Sequence, residues 1–291
     1  MPSPDAGGGA FFLNSGEGKP AITLQTLEPY KSRLKGSVHL GIAGEMNLNI
    51  LSLGCYEGAI IGAPDNNQRL MWKYVLQLLS GRNERENRKD FIEGMNDAFD
   101  CQADLGQVEF SSGAGKQEKF QFYGYRAEQK DIKEGLNIPG HWLYSEESYD
   151  LVRRLAKAGK IIVLPLDLMH TEQCKKLGQL LQSQEIRIGS IYTSNMMTFY
   201  NYLVEDPGYL GDRVCKPSDT INKGTPNRIL HENLKSISKH GNIDPMIIEA
   251  AKAEHLMTNN KGKIIFTSLA AHREYCLSIA RDNTRNSGSI S

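Results

Sequence analysis

The 291-residue sequence lacks several features that would place it in a functional class at once. It has no apolar run of about 18 residues, so it predicts no membrane-spanning helix. Lysine plus arginine and aspartate plus glutamate both number 34, so the net charge is zero. That balance predicts no general attraction to nucleic acid or to an anionic membrane. No basic head precedes an apolar stretch at the start, and we therefore expect no secretory signal.

Cysteine is scarce, and its spacing excludes further classes. The five cysteines never form a C-x-x-C pair; they are Cys55, Cys101, Cys174, Cys215 and Cys276. An odd number without metal-ligand spacing argues against a disulfide framework and against a zinc site. The sequence also contains no P-loop, no H-E-x-x-H and no G-x-S-x-G motif. We therefore expect free core thiols, no metal centre and a cytoplasmic protein.

The sequence does contain an alternation of apolar strands and amphipathic helices. Strands are predicted at residues 38–42, 59–63, 160–167, 186–192 and 263–267. Helices are predicted at residues 22–35 (broken near Pro29), 46–56, 67–80, 146–158, 171–183 and 244–257. Because the strand segments are solidly apolar, both of their faces must be covered. The pattern predicts an α/β, Rossmann-like fold: a mostly parallel sheet with helices on both faces.

The domain organisation follows from where this alternation weakens. Residues 82–144 break the pattern and predict an inserted lobe, in which "FSSGAGKQEKFQFYGY" has the character of a hairpin or a loop. The Gly- and Ser-rich ends, 1–20 and 282–291, are predicted to be disordered tails. Residues 21–281 then form a single domain that carries the insertion.

Small and acidic residues follow successive predicted strands. The first strand leads into Gly41-Ile42-Ala43-Gly44-Glu45, the second into Asp65, the third into Asp167, and the fourth into Ser194-Asn195. Ligands of open parallel sheets bind outside the carboxyl ends of the strands, and an acid about 20 residues after the glycine turn often accepts ribose hydroxyls. Small residues also serve the packing of such a corner, and Asp65 and Asp167 can each be a helix N-cap. Both interpretations stay open.

Four segments carry a family resemblance: "VHLGIAGEMN", "AIIGAPDNN", "IIVLPLDLMHTEQCKKLGQLL" and "IRIGSIYTSNMMTFY". They resemble the first four strand ends of class I S-adenosylmethionine (SAM)-dependent methyltransferases. More closely, they are similar to a group of bacterial proteins of that fold with an "LGIGxEQN"-like start and a "YLSN"-like fourth strand. The resemblance covers about 38–80 and 145–200. It implies a SAM cofactor and a small-molecule or protein acceptor that the sequence does not identify.

The resemblance also implies roles for individual residues. The implied cofactor-binding set is Gly41, Ala43, Gly44, Glu45, Asp65, Asn66, Asp167, Leu168 and Ser194. Residues of the 41–45 corner would lie under the methionine moiety, and Asp65 would hold the ribose. Asp167 and Leu168 would border the adenine, and Ser194 with Asn195 would form the loop beside the transferred methyl group.

Candidate catalytic residues lie near the predicted strand ends, and they are Asn195, Tyr192 and His170. A base is required only if the methyl acceptor arrives protonated. Asn195 is the candidate that we favour as a substrate or cofactor contact. Tyr192 has the alternative interpretation of a buried core aromatic, and His170 that of an exposed residue at a helix start.

Two other functions remain open on the same residues. His39 stands where methyltransferases usually have an acid, and Ala43 and Glu45 replace glycines, which is consistent with a non-catalytic binding protein that keeps the fold. The spacing of Asp65 serves a dinucleotide equally well, which allows an NAD- or nucleotide-dependent enzyme. Against this last function stands the absence of a complete G-x-G-x-x-G.

Overall fold

The computed structural model describes residues 20–42, 44–81, 87–100, 107–111, 116–121, 136–194, 225–239, 244–250, 263–266, 268 and 270–274. The chain divides into two compact units, Met1–Pro165 and Leu166–Ser291. None of the helices in these ranges is long and apolar enough to cross a membrane.

The described part of the first unit alternates helices with short strands. Its helices are α1 (Pro20–Leu27), α2 (Lys31–Leu34), α3 (Met46–Leu51), α4 (Asn66–Leu79), α5 (Arg88–Asp100) and α6 (Glu146–Lys157). Its strands are β1 (Val38–Ile42), β2 (Gly58–Gly62), β3 (Gln107–Ser111), β4 (Gln117–Gln121) and β5 (Ile161–Leu164). A 3-10 turn at Glu28–Tyr30 separates α1 from α2. Pro29 lies in that turn, so the predicted break in the first helix is confirmed.

Strands β5, β2 and β1 lie side by side in that order, and both pairings are parallel. The register aligns Ile42 with Gly62 and Gly62 with Leu164, so the three strands end at one level. Strand β2 is buried along its whole length. Strand β5 differs from the prediction of a strand covered on both faces, because Ile162 is 50% exposed. The reason is its place at the end of the strand order, where fewer elements cover it.

Strands β3 and β4 form an antiparallel hairpin that packs against α4. The aromatic rings of Phe110 and Phe120 contact Tyr74 at centroid distances of 5.4 and 5.6 Å. The Lys73 ammonium group lies 2.6 Å from the Glu118 carboxylate at the same contact. Of the two alternatives predicted for this segment, a hairpin or a loop, the structure has the hairpin. The inserted lobe at 82–144 falls partly outside the described residues and stays a prediction.

The described part of the second unit contains two long helices and three strands. They are α7 (Thr171–Ser183), β6 (Ile188–Ser194), α8 (Thr225–Ser238), β7 (Met246–Ala250) and β8 (Lys263–Phe266). Strand β7 pairs parallel to β6 and antiparallel to β8. The helix predicted at 244–257 is therefore wrong over 246–250. A short apolar run such as Met246-Ile247-Ile248 does not distinguish helix from strand by periodicity, and pairing on both sides decided the outcome.

Helices α7 and α8 pack closely at Gly178. A Cβ atom added at Gly178 would lie 2.4 Å from the backbone oxygen of Ser236 and 3.2 Å from the Cα of Ile237. The contact surface of α7 that surrounds it is apolar and buried, with Cys174, Leu177 and Leu181. The absence of a side chain at residue 178 therefore sets how near the two helices approach.

Five of the described strands run parallel to a neighbour, and amphipathic helices lie around them. Apart from the β3–β4 hairpin, the antiparallel pairing among the described strands is that of β8 with β7. The chain therefore has the predicted α/β, Rossmann-like fold with a mostly parallel sheet.

The close contact at residue 178 can be tested by Gly178→Ala. Alanine is the better helix former by about 1 kcal/mol, but its Cβ would overlap backbone atoms of α8. We expect a net loss of about 1–3 kcal/mol in the free energy of unfolding, measured by urea denaturation. The exposed neighbour Gln179 provides the control, since Gln179→Ala adds no contact. Equal or greater stability of Gly178→Ala would contradict the close approach.

Candidate functional site

The corner after β1 is filled by a side chain of the protein itself. A Cβ atom at Gly41 would lie 1.6 Å from Oδ1 of Asn47 and 3.0 Å from Nε2 of His39. The Asn47 amide therefore occupies the space that the glycine leaves beside the strand. Gly41 is required here for internal packing, which is one of the two interpretations that the sequence left open.

Asn47 has fixed hydrogen-bond roles in this corner. Its Nδ2 donates to the backbone oxygens of Gly44 at 2.9 Å and Ile42 at 3.4 Å. Its Oδ1 lies 3.0 Å from Nε2 of His39. Because Oδ1 can only accept, the His39 ring carries its proton on Nε2. Both side chains are buried.

His39 is held as a neutral imidazole. Burial lowers the pKa of His39 to about 4, and the hydrogen bond with Asn47 opposes this shift. The ring also lies 5.5 Å from the ring of Tyr56. A neutral, fully buried imidazole supplies no charge to a ligand, so His39 does not replace the acid that the resemblance led us to expect at this position.

Glu45 is a buried carboxylate that faces a histidine. Its Oε2 lies 3.2 Å from Nε2 of His141, and both side chains are less than 10% exposed. Nδ1 of His141 accepts the N–H of Leu143, so the ring proton is on Nε2 and faces the carboxylate. The geometry of Nε2 and Oε2 is not that of a hydrogen bond, although the two atoms are close. Glu45 is therefore engaged inside the protein.

The segment at 140–144 is attached to the same corner. The backbone N–H of Trp142 donates to Oδ1 of Asn49 at 2.8 Å. Trp142 and Leu143 are buried, whereas Tyr144 is 46% exposed. Packing therefore accounts for Trp142 and Leu143, but not for the exposed aromatic side chain of Tyr144.

Asp65 is the N-cap of α4. Its Oδ1 accepts the backbone N–H of Gln68 at 2.8 Å. Burial raises the pKa of Asp65, and its hydrogen bonds with the first turn of the helix act against that rise. Asn66 is exposed and accepts a hydrogen bond from Arg69. Asp65 is only half-buried and follows β2 at the edge where β1 also ends.

Asp167, Leu168 and His170 all lie in the turn before α7, in the second unit. Oδ1 of Asp167 accepts the N–H of Met169 at 2.8 Å, so it shapes the turn, while the N-cap is His170. Leu168 is fully buried, and its oxygen accepts the amide of Asn233. His170 is exposed, which matches its alternative interpretation as a residue at a helix start.

The remaining predicted residues fall at β6 or outside the described ranges. Tyr192 is fully buried in β6, which supports its interpretation as a core aromatic. Ser194 is the last residue of that strand, in register with Glu249. Asn195 and Ala43 lie outside the described residues, so their roles stay predictions.

Sequence reasoning missed the two asparagines of α3 and the histidine that faces Glu45. Asn47 and Asn49 stand in a short, otherwise apolar helix whose residues are all buried. Polar amides at such positions were the available signal, because a buried amide requires hydrogen-bond partners. The pairing of Glu45 with His141 spans about a third of the chain and has no local signal.

The described His, Cys, Asp and Glu side chains are those that could bind a metal ion, and the cysteines those that could act as thiol nucleophiles. No group of three His, Cys, Asp or Glu side chains in these ranges is placed to hold a metal ion. The described cysteines, Cys55 and Cys174, are both free. Burial raises their pKa to about 11 and about 12, which disfavours the reactive thiolate.

Comparison with known proteins gives one family. A family model described as a domain of unknown function (DUF7790) matches residues 12–210, more than half of the chain. No curated protein matches the sequence.

The contact between Gly41 and Asn47 can be tested by a double-mutant cycle. Gly41→Ala places a methyl group on the Asn47 amide, and we expect it to cost about 1–3 kcal/mol of unfolding free energy. Asn47→Ala loses several hydrogen bonds but opens the same space. The double variant should be less destabilised than the sum of the two by about 0.5–3 kcal/mol in chemical denaturation. Strict additivity would contradict the contact.

The neutral state of His39 predicts a pH dependence. The folded pKa, about 4, is below the unfolded value of about 6.5, so below pH 6.5 the unfolded chain binds a proton that the folded protein does not. Stability is therefore complete above pH 6.5 and falls as the pH drops towards 4, by at most about 1.4 kcal/mol per unit for this group.

The measurement is urea unfolding between pH 7 and pH 4.5. His39→Gln keeps an N–H donor for Asn47 but does not titrate, so its stability should fall less steeply than that of the wild type. His170→Gln removes an exposed imidazole and serves as the control. Identical slopes for His39→Gln and the wild type would show that His39 is not held neutral.

Proposed function

We propose that this chain, which belongs to the DUF7790 family described as a domain of unknown function, is a SAM-dependent methyltransferase that binds its cofactor beyond the carboxyl ends of β1 and β2. The acceptor is a small molecule or a protein. The supporting observation is that two parallel, adjacent strands end at one level, and that a small-residue corner follows one and a half-buried aspartate follows the other.

Asp65 fits the ribose of such a cofactor. The residue is 24 positions after Gly41, and the usual separation for a ribose-binding acid is about 20. A carboxylate has two oxygens with about four lone-pair sites, so capping α4 leaves acceptor capacity for ribose hydroxyls. Burial already raises the pKa of Asp65, and hydroxyl donors would stabilise its charged form.

When bound, SAM supplies a methyl group on a sulfonium, and an in-line displacement of this kind depends mainly on positioning. Within the first unit the residues that would position the cofactor are Gly44 and Asp65, because Glu45 faces His141 inside the protein. The fit at Gly41 is poor, because Asn47 takes the space that a close-lying ligand would use.

This observation favours a second candidate, a binding protein that keeps the fold without turnover. Asn47 blocks close approach at Gly41, and Glu45 faces His141 inside the protein. Tyr192 is fully buried, so it cannot act as a base on an acceptor without rearrangement. The two candidates differ in whether labelled SAM is consumed, not in whether a ligand binds.

The proposal is tested by thermal unfolding with SAM, its demethylated product, NAD and ATP. A ligand at a hundredfold excess over its dissociation constant should stabilise the wild type by about 2.7 kcal/mol. We expect this from SAM, and we expect Asp65→Ala to lose it. Because that change also removes a cap worth about 1 kcal/mol, Ser145→Ala, which removes the cap of α6, is the matched control.

Ser145→Ala should lose stability but keep the full response to SAM. Stabilisation by NAD alone would overturn the methyltransferase proposal in favour of a dinucleotide enzyme. If none of the four compounds stabilises the protein, both the methyltransferase and the dinucleotide enzyme are overturned. If SAM binds, turnover of methyl-labelled SAM distinguishes the enzyme from the binding protein.

A further inference from the structure

The guanidinium of Arg153 has an unused pair of donors inside the first unit. Its Nε and Nη2 atoms are buried and make no hydrogen bond. These two nitrogens share one edge of the planar group, and their N–H bonds form the fork that matches both oxygens of a carboxylate or phosphate. Arginine stays charged in proteins, so the edge cannot become neutral by losing a proton.

A second unpartnered donor lies one helical turn away. Tyr149 precedes Arg153 by four residues on α6, so the two share a helix face. Tyr149 is fully buried, and its hydroxyl has no hydrogen-bond partner. Burial raises the pKa of Tyr149 to about 12, and the charge of Arg153 opposes that rise, which is consistent with their proximity. The hydroxyl is therefore a neutral donor.

Trp142 extends this set of donors. Its ring stacks on that of Tyr149 at a centroid distance of 6.0 Å and an interplanar angle of 24°. The ring is 2% exposed, and its indole N–H also has no partner. Phe91 contacts both rings and closes the apolar surroundings. Three neighbouring side chains thus present unpartnered donors, and the Tyr149 oxygen is the one atom among these polar groups that can also accept.

No described carboxylate satisfies the Arg153 edge. The acidic groups whose charges act on Tyr149 are Asp150, Glu146 and Asp90. Glu146 pairs with Arg88 at 2.9 Å, and Asp90 accepts the N–H of Asn87. Within the described residues, Nε and Nη2 of Arg153 have no hydrogen-bond partner. Arg153 as a whole is only partly buried, but these two nitrogens are shielded from water and lack a partner, so an acceptor from outside the chain would satisfy them.

We infer that Arg153 and Tyr149 form a binding site for an oxyanion, a carboxylate or a phosphate carried by a small ligand. The Nε–Nη2 edge of Arg153 binds two oxygens of the anion, and the Tyr149 hydroxyl donates to it. The indole N–H of Trp142 is a further donor from the neighbouring ring. The site lies on α6 and does not depend on the proposed methyltransferase function.

The site is tested by titrating the protein with sodium acetate, sodium benzoate and inorganic phosphate. Sodium chloride at the same ionic strength is the reference, because screening changes stability without a specific site. We expect a carboxylate or phosphate to raise the melting temperature above the chloride value, and the probe that does so identifies the anion class. In a ¹⁵N-correlated spectrum, one arginine Nε–H signal should move with the titration.

Two variants separate this site from general electrostatics. Arg153→Lys keeps the charge but loses the fork, and we expect the dissociation constant to rise at least about tenfold. Tyr149→Phe removes only the hydroxyl and should weaken binding about fivefold, without loss of stability in the absence of the anion. Arg154→Lys, at the exposed neighbouring residue, is the matched control and should bind like the wild type.

Responses no larger than that of chloride for all three probes would overturn the inference. Equal binding by Arg153→Lys and Arg154→Lys would also overturn it. If Arg153→Lys fails to fold, anion binding by Tyr149→Phe that equals the wild type would overturn the inference instead. Asp65→Ala should retain the full response to the anion. If the protein binds the anion but not SAM, the oxyanion site is supported and only the proposed methyltransferase function is overturned.

Discussion

The first unit depends on how one asparagine fills the space beside one glycine. Asn47 lies where a side chain at Gly41 would be, and its amide bonds the end of β1 and the ring of His39. The same short helix carries Asn49, which binds the backbone of Trp142. Glu45, just before the helix, faces His141. A single buried polar corner thus connects the first strand to a segment almost a hundred residues later, because buried polar groups must find partners.

This arrangement changes the meaning of the residues that suggested a cofactor. Glycine at residue 41 serves internal packing, and aspartate at residue 65 caps a helix. The two roles differ in whether they leave room for a ligand. The cap leaves Asp65 half-buried with acceptor capacity, whereas the asparagine amide excludes close approach at Gly41. Two buried donor nitrogens of Arg153, by contrast, have no hydrogen-bond partner, and unsatisfied donors of a charged group are the stronger physical argument for an external ligand.

Prediction from the sequence succeeded where a segment was long and periodic and failed where it was short. Helix α7 was predicted with the observed bounds, and β1 likewise, because periodicity and flanking turn residues agreed. Residues 246–250 were predicted as helix but pair with strands on both sides. The strand at 161–164 was predicted correctly as a strand, but the exposure of Ile162 depends on its place in the strand order. No local pattern contains that information.

The sequence by itself determined most of the alternation of strands and helices, the α/β class and the positions of the residues at the strand ends. These follow from side-chain periodicity and turn chemistry, which act over a few residues. Only the tertiary structure decided that Gly41 accommodates Asn47, that Glu45 faces His141, and that two nitrogens of Arg153 are buried without partners. Those outcomes depend on which distant side chains share a desolvated space, and burial assigns the partners of a polar group only after the chain has packed.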